Sequence, residues 1–272
     1  MKRMNLLLTF LILTSCASQR IDRKIKDPSW DSLADESYLR WGEDRLNQGQ
    51  NEHKVIDCYQ GKVKETLDSY KKDYLQKNQS PYYWLHIGNC YFVQESWSKA
   101  EFFYQMAMDE SKTSTIKSIA LNNLGIIHFK YEQWEKGKEL LNESIKLAPL
   151  FKVPRFNLSQ LYLQFGHFDK AIETLTAKAF KGQRDIDIYF SLANAYLYQD
   201  DLQNSEHYFK QIPQDYMSRE DIAATYALLQ IKKGNFELAK NVMDSREKSG
   251  VLEITEISQK VERILAQKMK EE

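Results

Sequence analysis

Residues 81–107 read PYYWLHIGNCYFVQESWSKAEFFYQMA, and this segment contains the pattern that predicts the fold. Two small residues in this segment, Gly88 and Ala100, are 12 positions apart, and the large aromatic Trp97 precedes Ala100 by three. The arrangement returns from residue 118, after an insertion of three residues, and then from residues 152, 186 and 220 at a constant interval of 34. The sequence therefore predicts one structural unit repeated five times.

Three columns of this repeat are uniform in residue size. Position 8 holds Gly88, Gly125, Ser159, Ala193 and Ala227. Position 20 holds Ala100, Gly137, Ala171, Ser205 and Ala239. Position 17 holds Trp97, Trp134, Phe168, Leu202 and Phe236. Two helices can cross closely only where their side chains are small, because side chains at the crossing set the distance between the axes. We therefore expect each unit to be two helices that cross at positions 8 and 20, with the large residue of position 17 beside the crossing.

These columns, together with Ile87, Tyr91, Tyr104 and Ala107, resemble the tetratricopeptide repeat, a helix-turn-helix unit of 34 residues. The resemblance implies an all-α fold, an α-solenoid (superhelix) of such units, over residues 81–253 with starts at 81, 118, 152, 186 and 220. Gly166 and Gly234 would then lie in the turn within a unit, where positive φ is tolerated. The chain has only 10 Gly and 5 Pro in 272 residues, which agrees with an all-helical protein.

Both ends of the array depart from the repeat. Residues 31–80 are interpreted as one or more degenerate first units, and two registers remain open. One is suggested by Trp41, Gly42 and Gly49; the other starts at residue 47 and gives turn and second-helix positions to Gly61, Val63 and Tyr70. At the other end, residues 254–272 carry apolar residues at helical spacing and are expected to cap the exposed face of the last unit. These apolar residues are Ile254, Ile257, Val261 and Leu265.

The N-terminus has the features of a secretion signal. A positive start (Met1–Met4) precedes the apolar run LLLTFLIL, which is too short to cross a bilayer core of ~30 Å. The sequence from Leu13 to Cys16 resembles the lipobox of bacterial lipoproteins. The resemblance implies a signal peptide over 1–15, removal of that peptide, and acylation of Cys16 with fatty acids such as palmitate. Residues 16–30 would form a flexible tether. An ordinary secretory signal is the alternative.

The residue after Cys16 bears on the destination of the protein. It is Ala17, and not the Asp that often signals inner-membrane retention in enteric-type bacteria. By that resemblance the protein is expected on the periplasmic face of the outer membrane, held by its lipid anchor. Sorting rules vary between lineages, so inner versus outer membrane stays open.

The sequence lacks the motifs of catalysis and of ligand binding. The 38 basic residues equal the 38 acidic ones, which gives no basic surface for nucleic acid, and 42% hydrophobic residues exclude a disordered chain. The five histidines fall in different units, and no metal, phosphate-binding or nucleophile motif occurs. We therefore expect no enzyme activity, no cofactor, no metal and no small-molecule substrate. The expected partners are proteins of the cell envelope, together with the membrane.

Two cysteines, Cys58 and Cys90, would remain after lipidation of Cys16. An oxidising compartment permits a disulfide between them. In one register of the first unit they lie at near-equivalent places on neighbouring helices, and in the other they are too far apart for the ~7 Å limit between Cα atoms. A disulfide and two buried thiols are both open.

In the tetratricopeptide family the first helices line a concave groove. The groove positions of this chain include Tyr82, Leu85, Asn89, Phe92, Asn122, Asn123, Phe129, Phe156, Asn157, Phe190, Asn194 and Tyr198. Asn123 and Asn157 are one repeat apart and would stack as a ladder whose amides pair with the backbone of a bound peptide. The alternative for the apolar members is packing between units. Leu85, Val153 and Asn157 replace the cations of the family's carboxylate clamp, so a hydrophobic or amphipathic segment is the expected ligand.

The whole plan, a lipobox followed by repeats, is similar to outer-membrane lipoproteins that act as pilotins of the type IV pilus secretin. The resemblance implies a lipid-anchored scaffold that aids assembly or outer-membrane targeting of an envelope complex. The alternative is an adaptor or regulator of peptidoglycan enzymes or of β-barrel assembly.

Overall fold

The computed structural model describes residues 57–58, 60–78, 80–180, 185–248 and 252–271. Within these ranges the chain forms twelve α-helices and no β-strand, apart from one isolated bridge between Arg219 and Glu247. The helices are α1 (Val63–Tyr74), α2 (Ser80–Val93), α3 (Trp97–Glu110), α4 (Ser114–Lys130), α5 (Trp134–Leu147), α6 (Lys152–Gln164), α7 (Phe168–Leu175), α8 (Ile186–Tyr198), α9 (Leu202–Phe209), α10 (Glu220–Lys232), α11 (Phe236–Asp244) and α12 (Leu252–Glu271). The all-α fold of repeated helix-turn-helix units is confirmed.

The second helix of every unit begins at position 17, the column of large apolar residues. Its first residues are Trp97, Trp134, Phe168, Leu202 and Phe236. The turn before it closes in the same way each time. The residue at position 15 has positive φ, and the N–H of position 16 donates to the carbonyl of position 11, as from Ser96 to Tyr91 at 2.9 Å. This six-to-one bond is the Schellman motif, which satisfies carbonyls at the end of the first helix.

The turn before α1 settles the register of the described part of the first unit. Gly61 has φ +89°, and the N–H of Lys62 donates to the carbonyl of Asp57 at 2.9 Å, so this turn repeats the Schellman bond. Gly61 is position 15 only in the register that starts at residue 47. In that register Val63 is position 17, and it is the first residue of α1.

The crossings at positions 8 and 20 are as close as the size columns predict. A Cβ atom built on Gly137 would lie 2.8 Å from the carbonyl oxygen of Gly125 and would overlap the ring of Phe129. In a later unit the Ser205 hydroxyl donates to the carbonyl of Ala193 at 2.9 Å across the same crossing. Small residues are therefore required there, since a larger side chain has no space.

The chain divides into two compact halves at Leu158 and Ser159, inside α6, and each is described by itself. The N-terminal half has its core between α2, α3 and α4, around Leu85, Tyr104 and Ile127. In the C-terminal half, Val261 and Leu265 of α12 pack with the buried residues of α10 and α11, so α12 covers the last unit. In the described residues no helix is both long and apolar enough to cross a bilayer.

Candidate functional site

A disulfide bond links Cys58 to Cys90, with the Cα atoms 5.2 Å apart. It ties the segment before α1 to α2. Tyr70 and Tyr74 of α1 form one buried cluster with the two cysteines, and the imidazole of His86 stacks on these two tyrosine rings at 4.8 and 5.0 Å. Of the two alternatives for the cysteines, the structure has the bonded one.

The structure buries nine of the twelve side chains predicted to line a groove. They are Leu85, Asn89, Phe92, Asn122, Asn123, Phe129, Phe156, Asn157 and Asn194. Phe92 packs edge-on against Trp97 at 4.9 Å, and Phe129 stacks on Trp134 at 5.9 Å. Both phenylalanines lie at position 12 and fill the space beside the tryptophan of position 17. They are core residues of their own units, which corrects the expectation of a free lining.

The remaining three groove candidates, Tyr82, Phe190 and Tyr198, are half-buried. Tyr82 stacks on Tyr74 at 6.2 Å, and Tyr198 stacks on Phe168 at 5.3 Å. Burial raises the pKa of the Tyr198 phenol above its ordinary value, so this side chain stays neutral at physiological pH. These three offer a ligand more surface than the buried nine.

The asparagines form a continuous buried chain of amides. Asn157 Nδ2 donates to Asn122 Oδ1 at 2.8 Å, Asn122 Nδ2 to Asn123 Oδ1 at 3.0 Å, and Asn123 Nδ2 to Asn89 Oδ1 at 3.2 Å. The Tyr104 hydroxyl donates to the same Asn89 oxygen at 2.8 Å. The structure differs from the predicted ladder in two ways. Asn122 lies between Asn123 and Asn157, and the amides bond to one another, whereas the prediction had them pair with the backbone of a bound peptide.

This amide chain connects the first helices of three successive units, α2, α4 and α6. Its members are at most 6% exposed, so each bond replaces one that water would otherwise supply. Asn89 Nδ2, at one end of this amide chain, is buried and has no hydrogen-bond partner among the described residues. The arrangement fixes how the units of the N-terminal half stack, and it leaves little amide capacity for a peptide.

A charged cluster beside Phe190 was missed by sequence reasoning. Arg219 Nη1 lies 3.3 Å from Asp187 Oδ1, Arg219 Nε donates to Asp221 Oδ1 at 2.7 Å, and the guanidinium carbon is 5.6 Å from the centre of the Phe190 ring. The signal was present, since aspartate recurs at position 2 of two consecutive units. Because Arg219 is paired with two carboxylates, its charge is already compensated.

Several predictions fall on residues that the structure does not describe. The signal peptide (1–15), the lipidated Cys16, the tether (16–30) and the first part of the degenerate unit lie outside the described ranges. Within those ranges, no group of three or more His, Cys, Asp or Glu side chains is placed to hold a metal ion.

Comparison with known proteins agrees with the fold. The model of the tetratricopeptide repeat family matches residues 155–177 and 186–212. A tetratricopeptide repeat protein from Parabacteroides merdae has a similar structure, with TM-score 0.57 and 14% identity, covering 87% of this chain and 92% of that one. No curated protein sequence matches this chain significantly.

Two structures of MamA are also similar. MamA from Desulfovibrio magneticus RS-1 has TM-score 0.52 and 14% identity over 68% of this chain and 96% of that one. The MamA RS-1 ArsTM double mutant has TM-score 0.53 and 13% identity over 66% and 96%. At these identities the likeness concerns the fold alone.

Proposed function

Because the described chain folds as a solenoid of tetratricopeptide repeat units, we propose that it is a lipid-anchored periplasmic scaffold that binds a segment of another protein. One observation carries the proposal: the sequence Leu13–Cys16, which resembles a lipobox, precedes a chain whose described part is a repeat array. A repeat array presents extended surfaces to partners, and acyl chains hold such a surface at a membrane.

The disulfide between Cys58 and Cys90 supports a location outside the cytoplasm. Such bonds persist in the bacterial periplasm, while reducing systems keep most cytosolic thiols free. With Ala17 after Cys16, we place the protein on the periplasmic face of the outer membrane.

The bound segment is proposed to be hydrophobic or amphipathic, either a helix or an extended strand. In the C-terminal half the half-buried rings of Phe190 and Tyr198 can bury apolar side chains of a partner. Arg219, beside Phe190, is paired with Asp187 and Asp221 and so does not attract a free carboxylate. The buried asparagines of the N-terminal half bond to one another and connect α2, α4 and α6, so they are assigned a structural role and not a role in binding the segment.

The proposed role is to aid assembly or outer-membrane targeting of an envelope complex such as a type IV pilus secretin. The similarity in plan to the pilotin lipoproteins supports it. The alternative role is that of an adaptor of peptidoglycan enzymes or of β-barrel assembly. Deletion of the gene discriminates between them: we expect loss of pili with unchanged cell shape, whereas altered shape with intact pili would favour a cell-wall adaptor.

A photo-cross-linking amino acid at Phe190 tests the binding surface in intact cells. We expect a discrete adduct, identified by mass spectrometry as a secretin or another envelope protein. The matched control is Phe165, an apolar residue of the same half that is 49% exposed and lies outside the predicted lining. Identical adducts from both sites, or none from Phe190, would contradict the proposal.

A further inference from the structure

Position 22 of the repeat is an exposed column in which one residue differs from the others in polarity. It holds Phe102, Glu139, Glu173, His207 and Asn241, all of them exposed. Phe102 is the only apolar member of this column, and 58% of its surface is accessible. Since four other units fold with polar residues at this position, the fold does not require an apolar side chain there.

Phe102 belongs to an aromatic patch on α2 and α3, which consists of Trp84, Tyr91, Phe102 and Phe103. Phe103 stacks on Trp84 at 5.8 Å and on Tyr91 at 5.4 Å, and Phe102 meets Phe103 edge-on at 5.2 Å. Trp84, Tyr91 and Phe103 are half-buried, so the patch is a partly open aromatic surface with Phe102 as its most exposed member.

The unit that starts at residue 186 provides an internal comparison. Tyr208 stacks on Tyr196 at 5.6 Å, and His207 meets Tyr208 edge-on at 5.2 Å. The geometry repeats that of Phe103, Tyr91 and Phe102. Position 11 is tyrosine in both units, so the two groups differ at positions 22 and 23, where Phe102 and Phe103 stand in place of His207 and Tyr208. The same arrangement of rings is thus less polar in the unit that starts at residue 81.

We infer that the aromatic patch docks on the lipid surface to which the chain is anchored. The inference rests on the proposed lipid anchor. Phe, Tyr and Trp rings are favoured at the boundary between headgroups and acyl chains, where an apolar ring face meets polar surroundings. The Lys99 ammonium, 5.1 Å from the centre of the Tyr91 ring, adds a positive charge beside the patch that suits anionic headgroups.

The position of the patch along the chain favours lipid over a second protein. Cys58 is 58 − 16 = 42 residues from Cys16, and it is bonded to Cys90, the neighbour of Tyr91 on α2. The anchored end of the chain is therefore joined covalently to the helix that carries the patch. A tether raises the local concentration of the membrane around the patch, so a weak contact is sufficient.

Quenching by brominated lipid tests the docking directly. The chain Cys16–Glu272 is coupled through the Cys16 thiol to a maleimide lipid in vesicles of phosphatidylethanolamine, phosphatidylglycerol and brominated phosphatidylcholine. Coupling is selective because Cys58 and Cys90 are bonded to each other. The sensors are Phe102→Trp and its matched control His207→Trp, which place one added tryptophan at position 22 of two units.

On vesicles without brominated lipid, we expect the emission of the tryptophan added at position 102 to shift to the blue. On vesicles with brominated lipid, we expect this emission to be quenched, while the emission of the tryptophan added at position 207 remains. A further variant, Phe102→Glu, introduces the residue that position 22 has in two other units, Glu139 and Glu173. We expect it to lower the quenching of the chain's own tryptophans. Equal quenching at both sensors, or none at position 102 in a chain with unchanged circular dichroism, would overturn the inference. Because the vesicle supplies the anchor, this result is independent of whether cells acylate Cys16, which metabolic labelling decides.

Discussion

Gly137 shows how one residue sets the distance between two helices. The Cβ of an alanine there would lie 2.8 Å from the carbonyl oxygen of Gly125, and backbone atoms cannot move aside as the end of a flexible side chain can. Alanine is also favoured over glycine in helices by about 1 kcal/mol, which works in the opposite direction. Overpacking of a core costs about 1–3 kcal/mol. Because the added Cβ meets a backbone oxygen and also overlaps the Phe129 ring, we place the cost at the upper end of this range, above the gain in helix propensity.

The substitution Gly137→Ala is therefore expected to lower the free energy of unfolding by about 1 kcal/mol or more. Urea titration followed by circular dichroism measures it. The control is Lys136→Ala, an exposed residue of the same helix, whose effect should stay within about 0.5 kcal/mol. A Gly137→Ala chain as stable as the parent would show that the crossing is looser than described.

Asn122 is the central link of the buried amide chain, so its removal has two consequences. Asn122→Leu leaves Asn157 Nδ2 without its acceptor and Asn123 Oδ1 without its donor. Each buried polar group that loses its partner costs about 1–3 kcal/mol, so for these two groups we expect a loss of about 2–6 kcal/mol in the free energy of unfolding. The double variant Asn122→Leu/Asn157→Leu should cost less than the sum of the two single changes, since the two share one bond. Strict additivity would contradict a connected chain.

At the scale of elements, the turn within each unit shows what a sequence reveals and what it hides. The positive φ of position 15 was predicted at Gly166 and Gly234, where glycine marks it. The same conformation occurs at Glu95, Glu132 and Asp200, with φ between 56° and 65°. A residue with a Cβ is strained in this backbone conformation, and the Schellman bond offsets the strain. Because glutamate and aspartate mostly adopt negative φ, the sequence does not reveal the conformation at these three positions.

We expect helix α1 to depend on the disulfide, because Tyr70 and Tyr74 of α1 belong to the buried cluster that contains Cys58 and Cys90. The disulfide closes a loop between residues that are 32 positions apart. Because it lowers the conformational entropy of the unfolded chain, a bond of this span stabilises the fold by about 3–4 kcal/mol. We expect reduction to lower the protection of the amides of α1 in hydrogen exchange, with little change in α10 of the other half. The double variant Cys58→Ala/Cys90→Ala serves as control and should not respond to reductant. If the amides of α1 are equally protected before and after reduction, this dependence is contradicted.

For the whole molecule, the fold was predictable and the site only in part. Size columns at positions 8, 17 and 20 report on steric contacts within a unit, and these recur in every unit. Exposure of groove residues depends on how far each helix is rotated against its neighbour, and no residue pattern states that rotation. Phe92 and Phe129 thus became core residues, and the bonding of Asn122 was not foreseen. The lipid anchor at Cys16 stays a prediction from the sequence.

We propose a lipid-anchored repeat scaffold in an oxidising compartment, and the intact mass of the protein purified from cell membranes without reductant tests this proposal. We expect a chain that begins at Cys16, carries a diacylglyceryl group and a fatty acyl group there, and lacks the two thiol protons of Cys58 and Cys90. A chain that retains residues 1–15, or one that bears no lipid and has two free thiols, would contradict it.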